Sequence, residues 1–418
     1  MIRLPLYHSS LCAYWPLHLK FITEIYDTLS RGGKFHVNTP ALIDTNMLQP
    51  RHGEWSMPWE TAVIPKFAMP EYDPTFNKSF AEVTDNQAIE VRDLIRATDK
   101  NVVVFYSGGI DSTVCMAALV KNLNKEELKK VKVNLSMDSI VENPQFYIKF
   151  IKDKIDILDS NKFNYGDACN NGYYSITLDQ GDSIFGTELG TSLYTRFNEI
   201  AQSLSSDSQK HLLDIRPKII SPEVHYSEFA DLLINYFNRP KFGVKIESEF
   251  GKLFYEKLHR NVQTSTVPIN SLHDFFWWMI FNVKYIHCSV RSTFSYGYPE
   301  FLKKNLLEQT INWFNHPDYQ RWSMVNNNNG EKIKGISENL YKWAAKKYIY
   351  DFDKNDWYLN YKLKIGSLRN LFIRNHGTLD LEKRFGFDYD YNLLRIDDPE
   401  VRNFIITNLQ QYQVDWTE

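Results

Sequence analysis

Apolar positions along the chain form short unbroken runs that alternate with helical spacings. Val102, Val103, Val104 and Phe105 make one such run, as in a strand buried on both faces. It leads straight into Ser107-Gly108-Gly109-Ile110-Asp111-Ser112-Thr113, then into an apolar helical stretch through Met116, Ala117, Ala118, Leu119 and Val120. The pattern predicts a strand, a tight glycine turn and a helix. Upstream, residues 80–99 read as a helix with an Ile89, Val91, Leu94 and Ile95 face, capped by Asp85 or Asn86. Downstream, 122–130 is a charged connection and Val131 to Ser136 a second strand. Glu142-Asn143-Pro144 then caps a helix over 145–154, Ile155, Ile157 and Leu158 suggest a short strand, and Tyr174, Ile176 and Leu178 another. Strands joined by helices predict a doubly wound parallel sheet of the α/β class.

The remaining pattern is mostly helical. Residues 190–260 carry helical spacings (Leu212, Phe229, Leu232, Leu233, Phe237) interrupted by Pro217, Pro222 and Pro240, and read as an inserted segment. Residues 274–286 form an aromatic-rich helix of the core rather than a cofactor box. Asn326 to Gly330 is a loop, and 340–350 is amphipathic, with Lys342, Lys346 and Lys347 around Trp343, Ala344 and Ala345. Residues 1–84 stand apart, rich in Pro, Trp and His, with helical periodicity only over 17–29. Arg31-Gly32-Gly33-Lys34 precedes Phe35 where a phosphate loop needs Ser or Thr, so it reads as a turn. His36, His52 and Trp55 suit packing or surface positions better than a site. The expected division is an N-terminal region over 1–84 and one large domain over 85–418, with 190–260 inserted.

Composition narrows the function classes. A chain of 418 residues buries a sizeable core, and its net charge of −3 lacks the basic excess that holds a polyanion, so nucleic acid is disfavoured as a partner. The cysteines Cys12, Cys115, Cys169 and Cys288 form no CxxC pair and read as reduced thiols of a cytoplasmic protein. The longest apolar run, Phe275 to Phe281, is too short to span a bilayer, and the N-terminus lacks a signal pattern, so no membrane association is expected.

The glycine turn carries the chemistry. Two glycines let backbone approach a ligand closely. The N–H groups opening the helix, with the hydroxyls of Ser107, Ser112 and Thr113, form an anion site. Asp111 inside that cradle makes sense where a metal ion bridges it to phosphate. No GxxxxGK[ST] loop occurs. The residues SGGIDS resemble the pyrophosphate-binding loop (SGGxDS) of the ATP pyrophosphatases, the PP-loop or adenine nucleotide alpha hydrolase-like superfamily. The resemblance implies a Rossmann-like fold of the HUP type, cleavage of ATP between the α and β phosphates, and ATP binding by Ser107, Gly108, Gly109, Asp111, Ser112 and Thr113. Ligands of such sheets sit at the carboxyl ends of the strands, which brings Ser136, Met137 and Asp138 in as candidates for adenine and ribose.

A second stretch, Leu178-Asp179-Gln180-Gly181-Asp182-Ser183-Ile184-Phe185-Gly186, is similar to the GEGxDExFGG segment of the synthetase domains of asparagine synthetase and β-lactam synthetase. On that match Asp182 is a metal aspartate, holding Mg²⁺ with Asp111, and Asp179 stands where the family has a glutamate that helps deprotonate the amine. Gln180 replaces a glycine, Ser183 the second acidic residue and Thr187 the last glycine. A third, shorter stretch, Lys362-Leu363-Lys364, resembles the family's R-x-K segment and gives Lys364 the role of offsetting charge on the α-phosphate. The ExRxPFLD stretch is not recognisable after Arg291, Phe294 and Tyr296.

The resemblance spans about 80–370 and implies an ATP-dependent, AMP-forming ligase that adenylates a small-molecule carboxylate and passes it to ammonia or an amine. With Ile2 in place of a catalytic cysteine and a short N-terminal region, no glutaminase domain is expected, so any amide nitrogen comes from ammonia, a substrate amine or a separate donor. Two alternatives stand beside it: adenylation of a nucleobase, as in PP-loop tRNA modifiers, and a non-catalytic nucleotide-binding protein. Residues 1–84 are open to a lid, a partner surface or a subunit contact.

Overall fold

A computed structural model describes residues 3–8, 11–16, 51–52, 67–160, 162–186, 223–238, 250–285, 308–325 and 342–361. Two compact units are present: Met1–Ser79 with Asp179–Leu307 and Asn312–Trp343, and Phe80–Leu178 with Glu308–Ile311 and Ala344–Glu418. The chain is thus grouped differently from the sequence expectation. Its first division lies at Ser79/Phe80 rather than 84/85, and residues 179–307 group with the N-terminal residues. In the first, helical unit, β1 (Arg3–His8) and β2 (Leu11–Pro16) pair as an antiparallel hairpin.

The second unit is built on a sheet. Helix α1 (Phe80–Thr98) leads to β3 (Val102–Phe105), α2 (Ile110–Asn122), the short α3 (Lys125–Leu128) and β4 (Val131–Leu135). Then follow α4 (Met137–Glu142), β5 (Asp156–Asp159), α5 (Tyr165–Asn170) and β6 (Tyr174–Thr177), with β7 (Thr310–Asn312) added from far along the chain. The strand order is β5-β4-β3-β6-β7, and the β3–β4, β3–β6 and β4–β5 pairs are parallel. This is the α/β, Rossmann-like sheet the apolar runs predict. Val102, Val103 and Val104 are fully buried, as a central parallel strand covered on both faces requires. The order reverses at β3, which has β4 on one side and β6 on the other, so the carboxyl ends of β3 and β6 form the topological switch point of the sheet.

One expectation for this unit is corrected. Helix α1 starts at Phe80, so Asp85 lies inside the helix and is no cap. Its carboxylate accepts from Lys121 Nζ at 2.7 Å, Asn122 Nδ2 at 2.9 Å and the Tyr348 hydroxyl at 2.6 Å, tying α1 to distant segments. The helix expected over 145–154 is present as a helical segment, α over Pro144–Phe146 and π over Tyr147–Ile151, with Asn143 as its N-cap.

In the helical unit, α6 (Gly181–Phe185), α7 (Ala230–Asn238), α8 (Phe250–Gln263), α9 (Leu272–Trp278) and α10 (Pro317–Val325) surround an aromatic core. Phe275, Trp277, Trp278 and Phe281 are buried, as the core reading of 274–286 anticipates. Arg51 is half-buried here, its guanidinium 3.5 Å from the centre of the Tyr285 ring and 2.6 Å from Gln320 Oε1. Burial lowers its pKa to about 10. His52 bonds the Thr264 carbonyl at 2.7 Å and meets Trp278 edge-on, which gives it a packing role. Among the described residues no helix is long and apolar enough to cross a membrane.

Candidate functional site

The glycine turn lies at the switch point because β3 delivers it there. Tyr106 N–H still bonds the Asn134 carbonyl of β4 at 2.8 Å, and the chain then turns through Ser107, Gly108 and Gly109 into α2. Gly108 adopts φ +74°, and a Cβ on it would lie 2.1 Å from the Ser139 carbonyl oxygen and 2.9 Å from Glu142 Cβ. Glycine is required here for both reasons. Gly109 is the N-cap of the 13-residue α2 and supplies no side-chain hydrogen bond. Helix geometry leaves the first-turn N–H groups without intrahelical acceptors, pointing out of the helix end with the positive pole of its dipole. The loop also braces itself. Ser112 Oγ donates to the Gly109 carbonyl at 3.0 Å and accepts from Ser107 N–H at 3.2 Å, while Gly109 N–H donates to Ser107 Oγ at 3.2 Å.

The hydroxyls the sequence groups together have different surroundings. Ser107 is exposed, and Asp111 is half-buried on the first turn of α2. Thr113 is fully buried, its Oγ1 within 3.4 Å of the Tyr106 hydroxyl, 3.3 Å of the Tyr358 hydroxyl and 3.4 Å of the Gly108 carbonyl. It holds the underside of the loop. Ser136 is the N-cap of α4, its hydroxyl accepting from Ser139 N–H at 3.4 Å. Glu142 is buried against the loop, with Oε1 3.7 Å from where a Gly109 Cβ would stand. The sequence reading gave it only a capping role.

Asp179 and Asp182 belong to the helical unit. The chain reaches Asp179 two residues past Thr177, the last residue of β6. Asp182, on α6, accepts from the buried Lys342 Nζ at 2.6 Å. Gln180 is fully buried with neither carboxamide atom hydrogen-bonded. Gly186 ends α6 at φ +64°, where a Cβ would lie 2.8 Å from Trp277 Cβ, so the last residues of this motif serve packing. Lys362, Lys364, Arg291, Phe294, Tyr296, Thr187, His36 and Trp55 lie outside the described residues.

Two later helices, α11 (Trp343–Asp353) and α12 (Asp356–Tyr361), belong to the sheet unit from Ala344 onward, and α12 meets the glycine turn. Tyr358 on α12 donates its hydroxyl to the Gly108 carbonyl at 3.2 Å. The α11–α12 turn is held by Asp353, which accepts from Asn355 N–H at 2.9 Å, and by Asn355, whose Oδ1 accepts from Tyr358 N–H at 3.1 Å. Burial pushes the Asp353 carboxyl up to about 6, against the pull of that backbone N–H and of Lys149 and Lys354. The fold therefore favours the neutral acid. The stability this contributes is complete below about pH 4, the unfolded value, and is lost as the pH rises through 6. Asp353→Asn keeps an acceptor for Asn355 and removes the charge. It is expected to raise the melting midpoint at pH 8 and leave it nearly unchanged at pH 4. Equal shifts at both pH values in a thermal-melt series would contradict this.

The Asp111 carboxylate is a hard oxygen donor beside an anion-favouring helix end, which fits Mg²⁺ held with phosphate. The Asp182 carboxylate is an oxygen donor of the same kind and is paired with Lys342. Among the described residues no cluster of three or more metal-ligating side chains forms. No family model, curated protein or solved structure matches the chain.

Proposed function

We propose that the chain is an ATP-dependent, AMP-forming ligase of the PP-loop, HUP-type class, similar to the synthetase domain of asparagine synthetase. One observation carries the reading: the SGGIDS turn stands at the switch point of a Rossmann-like sheet, with Gly108 in the left-handed region and Asp111 on the first turn of α2.

In this reading the Ser107–Thr113 turn binds the leaving β and γ phosphates of ATP through its N–H groups and the Ser107 hydroxyl. Asp111 would hold Mg²⁺, which supplies neutralisation of the departing pyrophosphate. The substrate carboxylate attacks the α-phosphorus, the α–β bridging bond breaks, and an acyl-adenylate forms. Lys364 offsets charge on the α-phosphate, the role its resemblance implies. Ammonia or an amine then attacks the acyl carbon and AMP leaves, and the nitrogen gives up its proton to a base, the role that the resemblance implies for Asp179. The nitrogen comes free, on a substrate amine, or from a separate donor protein.

The test is product analysis with the purified chain, ATP·Mg²⁺ and pools of small carboxylates, with and without ammonium. AMP and pyrophosphate that appear only with a carboxylate pool are the expected result. ADP and phosphate would overturn the α-phosphate mechanism, and turnover only with added RNA would favour nucleobase adenylation.

A further inference from the structure

Resting on the nucleotide-binding reading above, we propose that Tyr358 is a positioning residue that sets the anion affinity of the glycine turn and couples it to the C-terminal helices. The peptide between Gly108 and Gly109 is the centre of the cradle. In a trans peptide the carbonyl and the N–H point in opposite directions. Here the Gly108 carbonyl is directed inward, to the Tyr358 hydroxyl at 3.2 Å and Thr113 Oγ1 at 3.4 Å. The Gly109 N–H is therefore directed the other way, toward the exposed Ser107 and its Oγ at 3.2 Å. An anion needs this orientation, because a flipped peptide would present a carbonyl oxygen to it.

Glycine on both sides of the peptide removes the usual steric barrier to such a flip. The hydroxyls of Thr113 and Tyr358 resist it. Thr113 is part of α2 and comes with the loop. Tyr358 is 250 positions further along the chain and only 1% exposed. Its placement depends on the Asp353–Asn355 turn, where each side chain accepts the N–H that fixes the next step toward the phenol. By linkage, a ligand that needs the inward carbonyl also favours the docked α12 by the same factor.

The experiment compares wild type with Tyr358→Phe, which keeps the ring and removes the hydroxyl. Inorganic pyrophosphate and ATP·Mg²⁺ are titrated calorimetrically, and amide hydrogen exchange is followed with and without pyrophosphate. Loss of one hydrogen bond predicts about five- to tenfold weaker pyrophosphate binding. Pyrophosphate is expected to slow exchange over 356–361 in wild type but not in the variant, while slowing exchange over 107–113 in both. Equal affinity in the two proteins overturns the inference and leaves the nucleotide reading standing. Weaker binding accompanied by faster exchange throughout the sheet unit also overturns it, since the tyrosine would then serve folding alone. A wild type that binds neither probe removes the nucleotide reading and this inference together.

Discussion

Asp111→Asn is expected to lower AMP formation by at least about a hundredfold while leaving the protein folded. The two effects separate because the carboxylate has different value in the two settings. For folding, Asp111 is a half-buried acid on the first turn of a 13-residue helix, where its charge interacts favourably with the helix dipole. That contribution is about 0.3–1 kcal/mol, and asparagine retains part of it through its own dipole. For catalysis, in the ligase reading proposed above, the carboxylate would anchor a divalent cation beside the leaving pyrophosphate. Metal stabilisation of phosphoryl charge is worth several kcal/mol, and each 1.4 kcal/mol is about tenfold in rate. Quantifying AMP beside a circular-dichroism melt separates the two contributions. An Asp111→Asn protein that melts like wild type and still forms AMP at an unchanged rate would exclude the metal role of Asp111. A protein that loses activity only because it unfolds would assign the residue to structure.

The parts of this architecture legible in the sequence are those whose cause is local. Val102 to Phe105 reads as a strand because a parallel strand covered on both faces needs an unbroken apolar run, and Val131 to Leu135 because Val131, Val133 and Leu135 recur at every second position. The glycine turn was legible for the same kind of reason: the turn needs φ +74° at Gly108, a backbone conformation that favours glycine. What was not legible depends on partners remote in sequence. Asp85 looks like a helix cap, yet its carboxylate is used by Lys121, Asn122 and Tyr348. Lys342 looks like one more cation of an amphipathic surface, yet it is 3% exposed and paired with Asp182 across 160 positions. Tyr358 carries no local mark at all, because what defines it is the Gly108 carbonyl. The grouping of residues 179–307 with the N-terminal segment is likewise a property of packing that no composition shift announces.

Gly108→Ala carries the largest expected stability cost of the turn, and its size follows from geometry. Alanine in the left-handed region costs about 1–2 kcal/mol. The new methyl would also lie 2.1 Å from the Ser139 oxygen, an approach no Cβ tolerates, and the obstacle is backbone rather than a movable side chain. The Ser139 carbonyl belongs to α4, which is fixed at one end by the Ser136–Ser139 capping box and at the other by the buried Glu142 and Asn143. Relief must therefore come from moving the turn itself, at a further cost of about 1–3 kcal/mol, the range for overpacked interiors. Together the two give roughly 2–5 kcal/mol, a fall of at least about 5 °C in the melting midpoint. The displacement also breaks the bond from Tyr358 to the Gly108 carbonyl and turns the Gly109 N–H away from its outward direction, so pyrophosphate binding is expected to disappear even below the melting point. Gly109→Ala makes the comparison informative. Its φ of −69° suits any residue, and its nearest obstacle, Ser107 Oγ at 3.1 Å, is a side chain that can rotate. A Gly108→Ala protein with the stability and pyrophosphate affinity of Gly109→Ala would mean that the turn is free to adopt another conformation, and the anion cradle described for it would not hold.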